Sequence, residues 1–179
     1  MEITGLEAVR VLVRASREAV QSVGELERLA GRASEPVTPG NQWVLKFGRG
    51  LVAGVDWQAP PGPDQGLGWV AVDFGVFDRA EIPEEELCAV SLRGTAEDAR
   101  QTLLANGERP QVATSNDATG GNVRWSLAAA GGRLKFTFAP HEEGGVDPAA
   151  SCLVELRMFP GINPAGANLG AHYGAVAHE

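Results

Sequence analysis

Hydrophobic side chains recur at helical spacing through the first thirty residues. The apolar side of this pattern is made by Leu6, Val9, Leu12, Val13, Ser16, Ala19, Val20, Val23, Leu26 and Ala30. Thr4 followed by Glu7 is typical of a capping box at a helix start, and Gly31 is placed to end the helix. The pattern therefore predicts one long N-terminal helix of about 26 residues, roughly 40 Å at 1.5 Å per residue, which is enough to span a sheet.

Short hydrophobic runs follow and predict strands. Residues 32–41 contain Pro36, Pro39 and Gly40 and are expected to form a linker. The segments "QWVLKF" and "LVAGVDW" flank "GRG", which is typical of a hairpin. In "WVAVDFGVF", alternation places one set of side chains on a single strand face: Val70, Val72, Phe74 and Val76.

The second half of the chain repeats this mixture of strands and helix. "LCAVSL" is predicted to be a strand, and "TAEDARQTLLANG" a short helix capped by Thr95 and closed by Gly107. "VRWSLAAAGGRLKFTF" predicts a second hairpin, and "CLVELRMF" a last strand. The fold class is therefore α+β, with a long N-terminal helix packed on a largely antiparallel sheet and a second short helix. Residues 1–159 are expected to form a single domain.

Residues 160–179 differ from the rest because they are rich in alanine and glycine. The larger side chains among them are widely spaced: Ile162, Leu169, Tyr173 and Val176. Low-complexity termini fray unless something holds them. We therefore expect an extended C-terminal arm that is anchored by these four residues on a neighbouring subunit or on its own domain.

Charge limits the classes of partner. The net charge of −8 argues against nucleic acid, whose phosphates require Lys and Arg. Arg10, Arg14, Arg17 and Arg28 would align on the polar side of one long helix, whereas Glu84, Glu85 and Glu86 belong to an acidic segment. The two zones would match charge between copies of the chain, unless they are only an ordinary solvated helix face and an acidic loop.

The remaining features of the sequence favour an intracellular location. Glu2 and Glu7 stand where a secretory leader carries positive charge, and no run of about 18 apolar residues is present. We expect a cytoplasmic or virion protein that is not secreted by a signal peptide and has no membrane partner. Cys88 and Cys152 are expected to be buried free thiols rather than a disulfide.

Candidate chemistry in the sequence is sparse. Asp56 and Asp73 lie in predicted strands and could act as an acid–base pair beside Trp57 or Trp69. They are also typical of solvated or structural carboxylates, and tryptophans are typical of core edges and interfaces. The three histidines, His141, His172 and His178, lack zinc-site spacing. We expect neither a metal nor another cofactor.

Three functions remain open on these grounds. The first is a non-enzymatic structural or accessory subunit of a larger protein assembly, such as a virion, a tail or a similar particle, that assembles through its arm and complementary charge. The second is an acidic intracellular binding protein, either a toxin-neutralising immunity protein or a secretion chaperone; the order of elements is loosely similar to that of such chaperones. The third is an enzyme or small-ligand protein that uses Asp56 and Asp73.

Overall fold

A computed structural model describes residues 2–38, 40–56, 62–116 and 123–160. Three α-helices lie in these ranges: α1 (Gly5–Arg17), α2 (Val23–Ala30) and α3 (Ala96–Ala105). The strands are β1 (Glu35–Thr38), β2 (Asn41–Lys46), β3 (Leu51–Val55), β4 (Leu67–Asp73), β5 (Glu86–Leu87), β6 (Val90–Ser91), β7 (Val112–Asn116), β8 (Val123–Ala129), β9 (Leu134–Pro140) and β10 (Ser151–Met158). None of the described helices combines the length and apolar character needed to cross a bilayer.

One sheet of eight strands carries the fold, in the order β1-β2-β3-β4-β10-β9-β8-β7. All of its neighbouring strands run antiparallel. Both predicted hairpins are present, as β2–β3 and β8–β9. Gly50 in the first turn has a φ of 79°, a value that favours glycine. The α+β class with a large antiparallel sheet is confirmed.

The prediction of one long N-terminal helix is wrong, because two helices occupy this stretch. α1 ends at Arg17, and Ala19 takes a positive φ of 51°. Ser22 then caps α2 through a capping box, in which its hydroxyl accepts from the Glu25 N–H at 3.3 Å. The apolar spacing continues across the break because Val20 and Val23 are both buried. The spacing of apolar residues in the sequence therefore does not show where α1 ends.

Two further segments differ from expectation. The predicted linker at residues 32–41 contains β1, which pairs with β2 at the edge of the sheet. "LCAVSL" is not one strand: β5 and β6 form a small separate hairpin whose turn residues, Cys88 and Ala89, have φ values of 52° and 65°. Cys88 is exposed and Cys152 is half-buried, and both are free thiols, so the expectation that both would be buried is wrong.

The short second helix is confirmed as α3. The Thr95 hydroxyl accepts from the Asp98 N–H at 3.1 Å, and the Asp98 carboxylate accepts from the Thr95 N–H. Gly107 follows with a φ of 80°. A capping box made by polar side chains thus marks the start of this helix, as it does for α1 and α2.

The hydrophobic core lies between the sheet and the three helices. The alternate strand residues Val70, Leu127 and Phe136 are fully buried in one cluster with Leu12 of α1 and Leu103 of α3. We call this side of the sheet the covered face. The intervening positions lie on the opposite side, which we call the open face.

Candidate functional site on the open face of the sheet

Four chemically active side chains meet on the open face. Trp69 comes from β4, Lys135 from β9, and Glu155 and Arg157 from β10; together they are the sheet-face cluster. The strand register brings them together, since Arg157 lies opposite both Ala71 of β4 and Lys135 of β9. Their neighbours along each strand, such as Val70, Phe136 and Leu156, point into the core. Two-residue periodicity therefore separates the polar cluster from the apolar core.

A glycine leaves room for the indole of Trp69 on the sheet. Gly54 of β3 lies opposite Trp69 in the β3–β4 register. A Cβ atom at position 54 would overlap the Trp69 indole, so only glycine leaves room for the ring. Arg157 lies over the indole, with its Cζ 3.9 Å from the ring centroid, and makes a cation–π contact. The ring thus contacts both Gly54 and Arg157, and we call these three residues the stack.

A carboxylate fixes the arginine in this position. Arg157 donates from Nε to Oε1 of Glu155 at 2.9 Å and from Nη2 to Oε2 at 3.2 Å. This two-pronged geometry matches the planar guanidinium to the planar carboxylate. The side chains are 24% and 27% exposed, so the pair keeps some contact with solvent. The stack is therefore ordered and still accessible.

Lys135 adds a second cation beside Arg157. Burial lowers the pKa of the Lys135 ammonium, and the positive charge of Arg157 lowers it further, while Glu155 acts in the opposite direction. Such a partly buried ammonium is stabilised by a partner that brings a negative charge or hydrogen-bond acceptors. The cluster thus carries two cations and one anion in a chain whose net charge is −8.

The carboxylates proposed from sequence do not meet. Asp56 is exposed just after β3, while Asp73 ends β4 and accepts a bond from the Gly75 N–H at 2.9 Å. In the β3–β4 register Leu51 lies opposite Val72, and Val55 lies opposite Leu67. The two carboxylates therefore sit at opposite ends of the hairpin, six residues or about 20 Å apart at 3.4 Å per residue. They cannot act on one substrate atom together.

Trp57 and Trp69 were the tryptophans proposed to lie beside these aspartates. Trp69 belongs to the sheet-face cluster, and Trp57 lies outside the described residues. The hypothesis of a joint acid–base and tryptophan site is therefore left without its acid–base pair.

The arginine zone is exposed but discontinuous. Arg10, Arg14 and Arg17 lie on α1 and Arg28 on α2, so the break between the helices divides the predicted stripe. Arg14 and Arg28 still meet, because they line one shallow cavity of about 310 Å³ together with Glu18 and Glu25. Arg14 also pairs with Glu18 at 3.2 Å. Glutamates thus offset part of this basic zone.

The acidic zone is on the surface. Glu84, Glu85 and Glu86 are all exposed, and Glu84 accepts a bond from Arg93 at 2.8 Å. Nearby, Glu81 pairs with Arg49 at 2.8 Å, and this hydrogen bond is the main cause that lowers the pKa of the Glu81 carboxyl. The exposed zone retains more carboxylates than these two arginines neutralise.

The proposed arm anchors, Ile162, Leu169, Tyr173 and Val176, lie outside the described residues. The described chain ends at Pro160, next to Phe159, whose N–H donates to the Arg133 carbonyl at 3.0 Å. Within the described ranges, no group of three or more His, Cys, Asp or Glu side chains is arranged to hold a metal.

The patterns in the sequence did not single out Gly54, Lys135, Glu155 and Arg157. A signal for three of them was present, since Lys135 alternates with Leu134 and Phe136, and the "ELRM" run alternates in the same way. What it lacked was the pairing of β4 with β10, which lie far apart in the chain. That pairing is what turns four surface residues into a cluster.

Comparison with known proteins gives no relative to guide the interpretation of this cluster. No known protein family, no curated protein and no solved structure matches the chain.

Proposed function

We propose that this chain is a non-enzymatic subunit of a larger protein assembly and that the open face of its sheet binds another protein chain. The observation that carries the proposal is the ordered stack of Gly54, Trp69 and Arg157, held by Glu155. Tryptophan and arginine are the side chains that most often dominate the energy of protein interfaces. Here both are fixed before a partner arrives, which reduces the entropy cost of binding.

The shape of the face favours a protein over a small molecule. An antiparallel sheet presents an extended surface on which side chains from neighbouring strands stand side by side. The sheet-face cluster spans three adjacent strands, β4, β10 and β9. A contact of this breadth suits a second protein surface, which typically covers about 800 Å² on each partner.

Charge directs the contact. The cluster has one more cation than anion, whereas the exposed zone of Glu84, Glu85 and Glu86 is acidic. Such zones favour correct encounter and register between subunits more than affinity itself. The C-terminal arm, residues 160–179, remains part of this proposal as a second means of linking subunits in a particle such as a virion or tail.

A second candidate is an acidic binding protein, such as an immunity protein or a secretion chaperone. The exposure of Glu84, Glu85 and Glu86 favours it, because three adjacent carboxylates suit a basic client. In that case the acidic zone, and not the open face, carries the contact. The two candidates therefore make opposite statements about which variants lose binding.

The test is the native mass of the chain in extracts of cells that produce it. We expect the wild-type chain in a complex well above its monomer mass of 18.8 kDa, and Arg157→Ala to be released from that complex. Arg157→Lys keeps the charge but loses the planar stack, and it should also release the chain. Arg79→Ala, which removes an exposed arginine that is not part of the cluster, should stay in the complex.

Two outcomes separate the alternatives. If all Arg157 variants remain in the complex while Glu84→Lys, Glu85→Lys and Glu86→Lys together release the chain, the acidic binding protein is correct. Deletion of residues 161–179 tests the arm separately. An unchanged mass after that deletion removes the arm from the proposal and leaves the open face in place.

A further inference from the structure

The two edges of the sheet differ in how well they are protected against pairing with a strand of another chain. At one edge, β1 contains Glu35 and Pro36, and its register with β2 shifts between Pro36 and Thr38. A charge, a proline and a bulge are the devices that proteins use to stop edge strands from pairing with other chains. This edge is therefore protected.

The β7 edge has none of these devices. Its sequence, Val-Ala-Thr-Ser-Asn at residues 112–116, contains no charge and no proline. It pairs with β8 in five consecutive positions, from Val112 opposite Leu127 to Asn116 opposite Val123, without a register shift. Four of its five residues are exposed. Among the described strands β7 has one neighbour only, β8, so its outer edge pairs with no other strand in that part of the chain.

The helix layer also stops short of β7. α3 packs against β8 and β10. Val112 lies opposite the buried Leu127 and hence on the covered face, where it is 38% exposed. The apolar layer of the covered face thus reaches the β7 edge at Val112, a side chain that is still partly exposed.

We infer that β7 pairs antiparallel with β7 of a second copy of this chain, which joins the two sheets into one. The same strand in two copies forms an isologous contact around a two-fold axis, with Thr114 at its centre. An uncharged strand meets itself there without like-charge repulsion, and the pairing satisfies the outer backbone groups of both strands. This inference rests on the proposed function, because it names one neighbour in the assembly, which is reached through the sheet edge and not through the open face.

Charges at the centre of the strand provide the test. We expect the purified wild-type chain to sediment at twice 18.8 kDa, and both Thr114→Lys and Thr114→Glu to sediment as monomers. An equimolar mixture of these two variants should restore the dimer, because opposite charges then meet across the two-fold. Thr38→Lys on β1 is the matched control at the other edge and should remain dimeric. Circular dichroism and thermal unfolding of each variant establish that it is folded.

A monomeric wild-type chain at millimolar concentration would overturn the inference, as would dimeric Thr114→Lys. Failure of the mixture to dimerise would exclude the two-fold pairing. None of these results decides the proposed function. That proposal concerns the open face, and it fails only through the Arg157 variants in cell extracts.

Discussion

The two faces of the sheet are built from the same strands but have different roles. On the covered face, Phe136, Leu127 and Val70 are fully buried under the helices. On the open face, alternate residues of the same strands include Lys135, Trp69 and Ser126, which remain partly accessible. One face therefore removes apolar area from water, while the other holds polar and aromatic groups in fixed positions at the surface.

The comparison shows where stability and recognition are separated. Burial of a large apolar side chain contributes about 1.5–3 kcal/mol, whereas an exposed or partly exposed ion pair contributes about 0–1 kcal/mol. The covered face should hence control folding. The open face can change with little loss of stability, which leaves its side chains free to serve a partner.

Removal of a core ring should have the largest effect. Phe136 is fully buried on the covered face. We expect Phe136→Ala to lower the free energy of unfolding by about 3–5 kcal/mol, because the cavity adds to the lost transfer energy. Urea denaturation followed by circular dichroism measures this change. A loss below about 1 kcal/mol would mean that the covered face is not the core.

Filling the space under Trp69 should have an intermediate effect. A Cβ at position 54 overlaps the indole, so Gly54→Ala must displace the ring and should cost about 1–3 kcal/mol. Gly68→Ala is the matched control, because its Cβ would meet only the Gly54 carbonyl oxygen at an ordinary 3.6 Å. Tryptophan fluorescence reports whether the ring moves. Equal stability of the two variants would contradict the stack.

Loss of the arginine should affect stability only slightly. We expect Arg157→Ala to change the free energy of unfolding by no more than about 1 kcal/mol, since its contacts are one cation–π pair and one partly exposed ion pair. Its loss from the complex in cell extracts should nevertheless be complete. Thermal unfolding of the purified variant measures the first quantity. A large destabilisation would show that Arg157 serves mainly to stabilise the fold and not to bind a partner.

The smallest effect should be a pH dependence at Lys135. Burial lowers its pKa in the folded chain below the ordinary 10.5, so the unfolded chain binds more protons between the two values. Stability should therefore rise as the pH increases towards 10.5, and this part should vanish in Lys135→Met.

The chain has only two lysines, Lys46 and Lys135, which makes the measurement direct. Carbon-13 methylation followed by NMR titration should give a pKa for Lys135 below the ordinary 10.5, and Lys46→Met assigns the signals. An ordinary pKa for Lys135 would show that the open face does not bury its ammonium.

Local signals predicted much of the fold. The Thr95–Asp98 capping box marked the start of α3, and "GRG" marked the first hairpin. The same kind of signal at Ser22 and Glu25 was overlooked, because apolar spacing continues through Val20 and Val23. The Cys88–Ala89 turn gave no glycine signal, since non-glycine residues take the positive φ there.

The candidate site was harder to predict than the fold, for a topological reason. Trp69 and Arg157 contact each other only because β10 pairs with β4, and the intervening chain forms other strands and α3. Alternation within one strand tells which side chains share a face, but not which strands are neighbours. Asp56 and Asp73 failed as a pair for the related reason that antiparallel pairing separates the ends of β3 and β4.

Hydroxyl-radical footprinting of the assembled and the isolated chain tests the central claim most directly. It compares Trp69 on the open face with Trp125, which is only 5% exposed in the core and serves as the internal reference. We predict that oxidation of Trp69 falls strongly in the assembly while that of Trp125 stays low in both states. Equal oxidation of Trp69 in the two states would contradict the claim that the open face binds the partner.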